Sequence, residues 1–218
     1  MKHTEEARSK PFEKFNEEEV FRKHISYHTE RFNQFGNNSK TVWNREESQQ
    51  IRFDVLANLF NTKQGFSLLD IGCGLADFFS YLNKKKFTNI EYTGVDINER
   101  FIREAKKIYP SGSFLHGSYK EIMAVGKSYD YVIACGIHAF GENQDSVQQY
   151  FIEKFTQLSP LIYRGFGVNF LSTYSKNPDS VSVYHDPVRV FSLVKERFEK
   201  VSLYHNYLPN DFTILVEK

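Results

Sequence analysis

The chain has 218 residues, 25% of them charged, and its 28 Lys and Arg against 27 Asp and Glu give a formal net charge of +1. That length suits one well-buried domain with room for a small cap, and so balanced a charge supplies no basic field of the kind that drives non-specific nucleic-acid binding. The 2 cysteines lack metal-ligand spacing and no apolar run is long enough to span a bilayer, so a soluble, cytoplasmic protein with reduced thiols and no metal is expected.

Residues 1 to about 16 are dominated by charge and interrupted by Pro11, so they are expected to be loosely ordered. Residues 17–32 are predicted to form an amphipathic helix, with Val20, Phe21, Ile25, Tyr27 and Phe32 roughly at helical spacing. His24 and His28, four apart, share one face of it, expected to be solvated. After an Asn-rich loop and Trp43, Asn44-Arg45-Glu46-Glu47 looks like a capping box opening a helix to about residue 60, with Ile51, Val55, Leu56 and Leu59 on its apolar face. Residues 1–43 thus form an N-terminal helical cap or arm, and residues 44–218 the main domain.

From there strands and helices alternate. Apolar residues 66–69 make a first strand, followed by helix 75–86, strand 90–96, helix 98–108, strand 112–116, short helix 119–125, strand 129–135, helix 144–158, strand 164–171 and helix 188–198. Strands 201–207 and 212–217 flank Leu208-Pro209-Asn210-Asp211, too close for a crossover helix. The predicted fold is α/β: a doubly wound, mostly parallel seven-stranded sheet ending in an antiparallel hairpin. Lys84-Lys85-Lys86 falls where the helix after the first strand ends, so dipole complementarity and solvation account for it.

The first strand enters a glycine turn, Asp70-Ile71-Gly72-Cys73-Gly74-Leu75-Ala76-Asp77, bounded by carboxylates. Gly72 and Gly74 let the backbone turn tightly and let a ligand approach the following helix N-terminus. Where a dinucleotide site has its third glycine this chain has Asp77, which a pyrophosphate would meet as a like charge. Asp70 and Asp77 suit a ligand presenting an ammonium, a sulfonium or sugar hydroxyls. Asp96 closes the second strand 22 residues after Gly74, where nucleotide binders of this class hold ribose hydroxyls, a spacing common to both cofactor types.

Asp70-Ile-Gly72-Cys-Gly74 followed by Asp96 resembles the class I S-adenosylmethionine-dependent methyltransferases, and the likeness runs over about 150 residues, through Tyr129-Asp130-Tyr131-Val132-Ile133-Ala134-Cys135-Gly136 to the terminal hairpin. The resemblance implies S-adenosyl-L-methionine as cofactor. Asp70 and the backbone of Gly72, Cys73 and Gly74 would hold its methionine end and Asp96 its ribose. Asp77, Ile97, Cys135 and Gly136 complete the set implied to border it. Many family members have an Asp after the third strand for the adenine amino group. Here Phe114-Leu115-His116-Gly117-Ser118-Tyr119 offers Ser118 or the Tyr119 ring instead.

Methyl transfer from a sulfonium is an in-line displacement, so positioning supplies much of the acceleration, and a base is needed only where the acceptor carries a proton. His138, in Cys135-Gly136-Ile137-His138-Ala139-Phe140-Gly141 directly after the fourth strand, is one candidate; its alternative is a loop histidine that only shapes the pocket. His185, in Tyr184-His185-Asp186-Pro187, is the other, although Asp186 before Pro187 also suits a helix cap. His205 and Tyr207 fit packing at the end of a strand. Ala134-Cys135 differs from the Asn-Pro-Pro-Tyr type of signature of amino-methylating enzymes, which points to a small-molecule acceptor rather than nucleic acid. An RNA or protein methyltransferase using residues 1–43 for recognition, and a non-catalytic cofactor-binding module, are the alternatives. The segment 17–43 and the loop 172–187, with Tyr174, Tyr184 and His185, are expected to meet over the cofactor and form the acceptor site.

Overall fold

Each strand of the sheet that has buried neighbours on both sides sends its side chains alternately to two apolar layers, and this two-faced burial is what the near-continuous apolar runs encode. The computed structural model describes residues 15–38, 41, 46–60, 63–141 and 143–218; Trp43 and the Asn44-Arg45 start of the expected capping box lie outside them. Seven strands among the described residues, β1 (Gln64–Ile71), β2 (Thr88–Asp96), β3 (Ser113–His116), β4 (Tyr129–Ala134), β5 (Ile162–Leu171), β6 (Lys200–Tyr204) and β7 (Asp211–Glu217), form one sheet in the order β3-β2-β1-β4-β5-β7-β6. Pairing is parallel from β3 through β5 and antiparallel at β5–β7 and β7–β6. The expected fold is present.

In β1, Phe66 and Leu68 pack with Tyr131 and Ile133 of β4 against helices α2 (Glu46–Leu56), α3 (Asp77–Lys84) and α4 (Glu99–Ile108). Leu69 and Ile71 face the opposite layer, which β5 and β7 share with α5 (Tyr119–Val125), α6 (Gln144–Leu158) and α7 (Pro187–Lys195). Side-chain caps start these helices where the chain leaves the sheet: Asn98 on α4, Ser118 in a capping box with Glu121 on α5, Asn143 on α6 and Asp186 on α7.

Boundaries shift by a few residues. Helix α2 stops at Leu56 and a 3-10 turn carries Ala57–Leu59, α7 ends at Lys195, and β6 ends at Tyr204, so His205 and Tyr207 stand beyond it. The N-terminal helix α1 (Glu17–Phe35) is longer than expected, running until Gly36 terminates it at positive φ.

Register decides where the site forms. Asp70 pairs with Gly94 and Ile133, Asp96 with His116, and Leu171 with Asp211. Because β7 runs antiparallel, its first residue arrives at the same edge as the carboxyl ends of β1, β2, β4 and β5. Helix α1 is fastened across that edge from both faces of the sheet. On the α4 side, Asn98 Nδ2 donates to Thr29 Oγ1 at 3.2 Å, Arg100 reaches Asn33 Oδ1 at 2.6 Å, and the Arg100 guanidinium lies 4.2 Å from the Phe32 ring centre. On the α6 side, Tyr150 donates to Glu17.

Candidate active site

The turn after β1 is built by backbone conformations that a side chain resists. Gly72 and Gly74 have φ of 75° and 55°, and Ala76, at 64°, is a non-glycine residue in the left-handed region. A Cβ on Gly72 would lie 2.1 Å from Ile137 Cγ2, so the turn after β4 closes directly over this glycine. The N–H groups of Gly72 and Cys73 both donate to Val95 O, at 2.7 and 3.1 Å, which ties the turn to β2.

Asp96 completes the turn. Its carboxylate accepts from the Gly74 N–H at 2.9 Å and the Asn98 N–H at 2.7 Å, and each oxygen keeps acceptor capacity beyond these bonds. Burial pushes its pKa up to about 6, against the pull of those two N–H groups.

Two adjoining chambers open at this edge, sharing Gly72, Asp96, Ile137, Phe140 and His24 as wall. The narrower, about 70 Å³, lies among Ile97, Ser118, Tyr119 and His138 beneath Phe21 of α1. Its wall contains buried polar atoms with no hydrogen-bond partner, the Tyr119 hydroxyl and both ring nitrogens of His138. Groups of that kind are costly to bury unless something bonds them. A planar, polar-edged guest such as a purine fits that need, as Asp96 fits a diol.

The larger chamber, about 520 Å³, lies between the glycine turn and a wall made by Cys135, Gly136, Asn169, Tyr184 and Asp211, with Tyr27 and His28 above. At its floor Arg52 and Asp211 form a two-pronged ion pair, with side chains 8% and 0% exposed, and Asn169 Nδ2 donates to Asp211 Oδ1 at 3.2 Å. Tyr207, beyond the end of β6, joins this network through Asn169 and Thr213. Sequence reading gave these residues no role. Arg52 sits among the apolar positions of α2, and Asp211 falls in the connection predicted between the last two strands. The available signal was a cation on an otherwise apolar helical stripe.

The expected residues divide. Gly72, Gly74, Asp96, Cys135 and Gly136 border the larger chamber, and Ile97, Ser118 and Tyr119 the narrower one. The others stand back. Asp70 is buried, accepts from the Tyr92 hydroxyl at 2.6 Å, and is pushed up to about pKa 7 by burial and by Asp96 and Asp77. Cys73 is buried behind the turn, and Asp77 accepts from Gln49 Nε2 at 2.7 Å at the start of α3. Ser118 spends its hydroxyl on the α5 cap.

Both expected bases lie deeper in the packing than their loop positions suggest. His138 follows Gly136, whose φ of 78° folds the chain so that the imidazole packs on the aromatic core, stacked on Phe170 and edge-on to Phe151, at the wall of the narrower chamber rather than the larger one. His185 is fully buried. Its Nε2 bonds His138 O at 2.8 Å and its Nδ1 lies 3.5 Å from Gln148 Nε2, while Asp186 turns away to cap α7. Burial lowers their pKa values to about 3 and about 4, and neither borders the larger chamber. The opposite correction applies to His24 and His28. Their helix face is not solvated: it roofs the larger chamber, and His28 is 6% exposed.

Asp179, Ser182 and Tyr184 of the loop before α7 also border this chamber. Tyr174 instead points outward, 63% exposed. Among the described residues no group of three His, Cys, Asp or Glu could hold a metal ion, and no helix is long and apolar enough to cross a membrane.

A family model described as a methyltransferase domain matches residues 68–159. A Mycobacterium tuberculosis (strain ATCC 25618 / H37Rv) protein, Rv1506c, which bears a provisional methyltransferase name, is 31% identical over 166 residues, covering 73% of this chain and 98% of its own length. Among solved structures, magnesium protoporphyrin IX methyltransferase from Synechocystis with bound S-adenosylhomocysteine superposes with a TM-score of 0.66 at 15% identity, covering 93% of this chain and 100% of that one. The plantazolicin methyltransferase BpumL, in complex with a desmethyl-plantazolicin analogue, superposes with a TM-score of 0.57 at 15% identity over 92% and 98% of the two chains.

Proposed function

The chain belongs to the methyltransferase family, and on that premise we propose that it is an S-adenosylmethionine-dependent enzyme acting on a small-molecule acceptor held beneath α1. The observation that carries this reading is the pairing of chambers around one turn. Asp96 and the unpartnered Tyr119 and His138 groups suit an adenosine, and a larger chamber shares the Gly72 and Asp96 wall.

In this reading Asp96 accepts from the two ribose hydroxyls, and Tyr119 and His138 bond the base edge that an Asp binds in many relatives. The backbone of Gly72 to Gly74, with Cys135 and Gly136 opposite, borders the methionine end. Asp70 acts from behind, its carboxyl held by the Tyr92 hydroxyl beneath the turn and, with its pKa raised to about 7, only partly ionised at neutral pH. When bound, the cofactor supplies an electrophilic methyl group. The protein's part is to hold the acceptor in line and limit water, and α1 and the loop before α7 both line the larger chamber. Helix α1, within the expected 1–43 segment, serves as a cap to the domain expected over residues 44–218. The roof position of α1, fastened to α4 and α6, supports this over a free recognition arm.

Calorimetric titration with S-adenosylmethionine, S-adenosylhomocysteine and NAD tests the reading. Binding of the first two is expected, and binding of NAD alone overturns it. Mass-spectrometric detection of a methylated product in a metabolite screen then identifies the acceptor.

A further inference from the structure

We propose that His28 of α1 is the catalytic base of the transfer and that the acceptor group it serves is a neutral hydroxyl; this deepens the methyl-transfer reading and rests on it. The imidazole lines the larger chamber together with Gly72 and Gly74 of the glycine turn and Asp96 at the end of β2. Its Nδ1 faces the Thr41 carbonyl oxygen at 3.4 Å, and the same oxygen receives Arg31 Nε at 3.2 Å. A carbonyl can only accept, so the ring hydrogen belongs on Nδ1 and Nε2 keeps its lone pair. This backbone-oriented ring is the arrangement that makes one imidazole nitrogen an acceptor of defined direction.

The surroundings keep it neutral. Against the ring pack His24, Tyr27 and Arg31 from its own helix, Phe101 from α4, Phe140 after the 3-10 turn, and Thr41. The charged or titratable groups among these are Arg31, His24 and Tyr27, and no carboxylate among them favours the imidazolium. Burial lowers the His28 pKa to about 4, with Arg31 adding repulsion, so the base is unprotonated at neutral pH. His24, one turn earlier, borders both chambers, but no hydrogen bond to a described residue orients its ring.

The chamber wall selects the acceptor class. Glu47, Asp96, Asp179 and Asp211 face it against Arg52, which gives two of its nitrogens to Asp211. A carboxylate acceptor meets like charge there and needs no base. An amine is held by that wall as an ammonium without a lone pair, and a base of such low pKa cannot deprotonate it. A hydroxyl is uncharged, and its proton becomes strongly acidic only as the oxygen gains the methyl group, so a weak but oriented base suffices. In the balanced step the acceptor oxygen forms a bond to the methyl carbon, and the carbon–sulfur bond breaks with its electron pair going to sulfur, which becomes a neutral thioether. The hydroxyl proton passes to His28 Nε2 and is then shed to water.

The test combines three measurements on the full chain. S-adenosylmethionine with a labelled methyl group is offered with three acceptor sets: monosaccharides and simple phenols, aliphatic and aromatic carboxylates, and primary amines. Label is expected only in the hydroxyl set. His28→Gln, which keeps a donor for Thr41 O but lacks a basic nitrogen, should lose kcat on that set by about 100-fold or more, leave KM nearly unchanged, and keep S-adenosylhomocysteine affinity within about twofold. In the wild-type protein, imidazole ¹⁵N shifts should show His28 neutral with hydrogen on Nδ1 at pH 7. Label confined to carboxylates or amines, an unchanged rate in His28→Gln, or hydrogen on Nε2 each overturns the proposal. If no set is labelled, the ring hydrogen's position decides. If the wild-type protein fails to bind S-adenosylhomocysteine, the methyl-transfer reading itself falls, and this proposal with it.

Discussion

Arg52 on α2 and Asp211 at the first position of β7 are 159 residues apart and meet through Nε–Oδ1 and Nη2–Oδ2 contacts of 2.8 and 2.6 Å beneath the larger chamber. The pair joins the helix that precedes the sheet to the strand that arrives last, at the edge where Leu171 pairs with Asp211.

Breaking this pair from one side should be far worse than replacing it. Asp211→Ala leaves the Arg52 guanidinium buried without its carboxylate, a loss of about 3–5 kcal/mol in urea unfolding. The double change Arg52→Met with Asp211→Leu should recover a large part of that loss. Equal losses in the single and double variants would show that desolvation of the charges does not govern the site.

Cofactor affinity should depend on the Asp96 charge. The carboxyl is raised to about pKa 6 by burial, so it is ionised at pH 8 and protonated at pH 5. A protonated carboxyl gives up acceptor capacity needed for two hydroxyls. S-adenosylhomocysteine affinity, followed by calorimetry between pH 5 and 8, should therefore fall as pH drops through about 6 in the wild type. Asp96→Asn should be weaker by about 1–3 kcal/mol at pH 8 and nearly independent of pH.

Asp70 makes the opposite statement about stability. Its folded pKa, about 7, stands above the ordinary carboxylate value of 3.8, so the fold prefers the protonated form. The stability it contributes is complete below about pH 4 and is lost as pH rises through about 7. Asp70→Asn, whose amide oxygen can still accept from Tyr92, should raise stability at pH 8 by on the order of 1–3 kcal/mol and leave it nearly unchanged at pH 4. Thermal melts across that range check the sign.

Tyr119 should separate binding from stability. Its hydroxyl is buried without a partner, so Tyr119→Phe should leave the unliganded protein as stable or about 1 kcal/mol more stable. If that hydroxyl bonds the adenine, the same change weakens S-adenosylhomocysteine by about 1 kcal/mol, roughly fivefold. Equal affinity in both proteins removes Tyr119 from the site.

His185 should behave as a core residue. Removing its ring in His185→Ala strips the partner from His138 O and opens a space beside Phe170, with a loss of about 2–4 kcal/mol in urea unfolding. At temperatures where the variant stays folded, turnover per folded molecule should stay within a few-fold of the wild type. A specific drop in kcat with intact stability would restore His185 as a chemical participant.

The sheet, the chain order of its elements and the glycine turn after the first strand are legible from local sequence. Those features are local: apolar runs such as 66–69, the Gly72 and Gly74 turn, the cap at Asp186, and Asp96 at a strand end each follow from a few neighbouring residues and their backbone preferences. The division of the histidines belonged to the tertiary structure. His138 and His185 sit on loops expected to reach the cleft, and they are buried because a left-handed Gly136 and the approach of α6 pack them against the aromatic core. His24 and His28 sit on a helix with a weak apolar stripe, and they are covered because α1 lies across the carboxyl edge, fastened to residues 69 and 67 positions away in sequence. The Arg52–Asp211 pair is of the same kind. Which polar side chain faces a cavity depends on what packs against it from distant parts of the chain, and that information exists only once the sheet has brought those parts together.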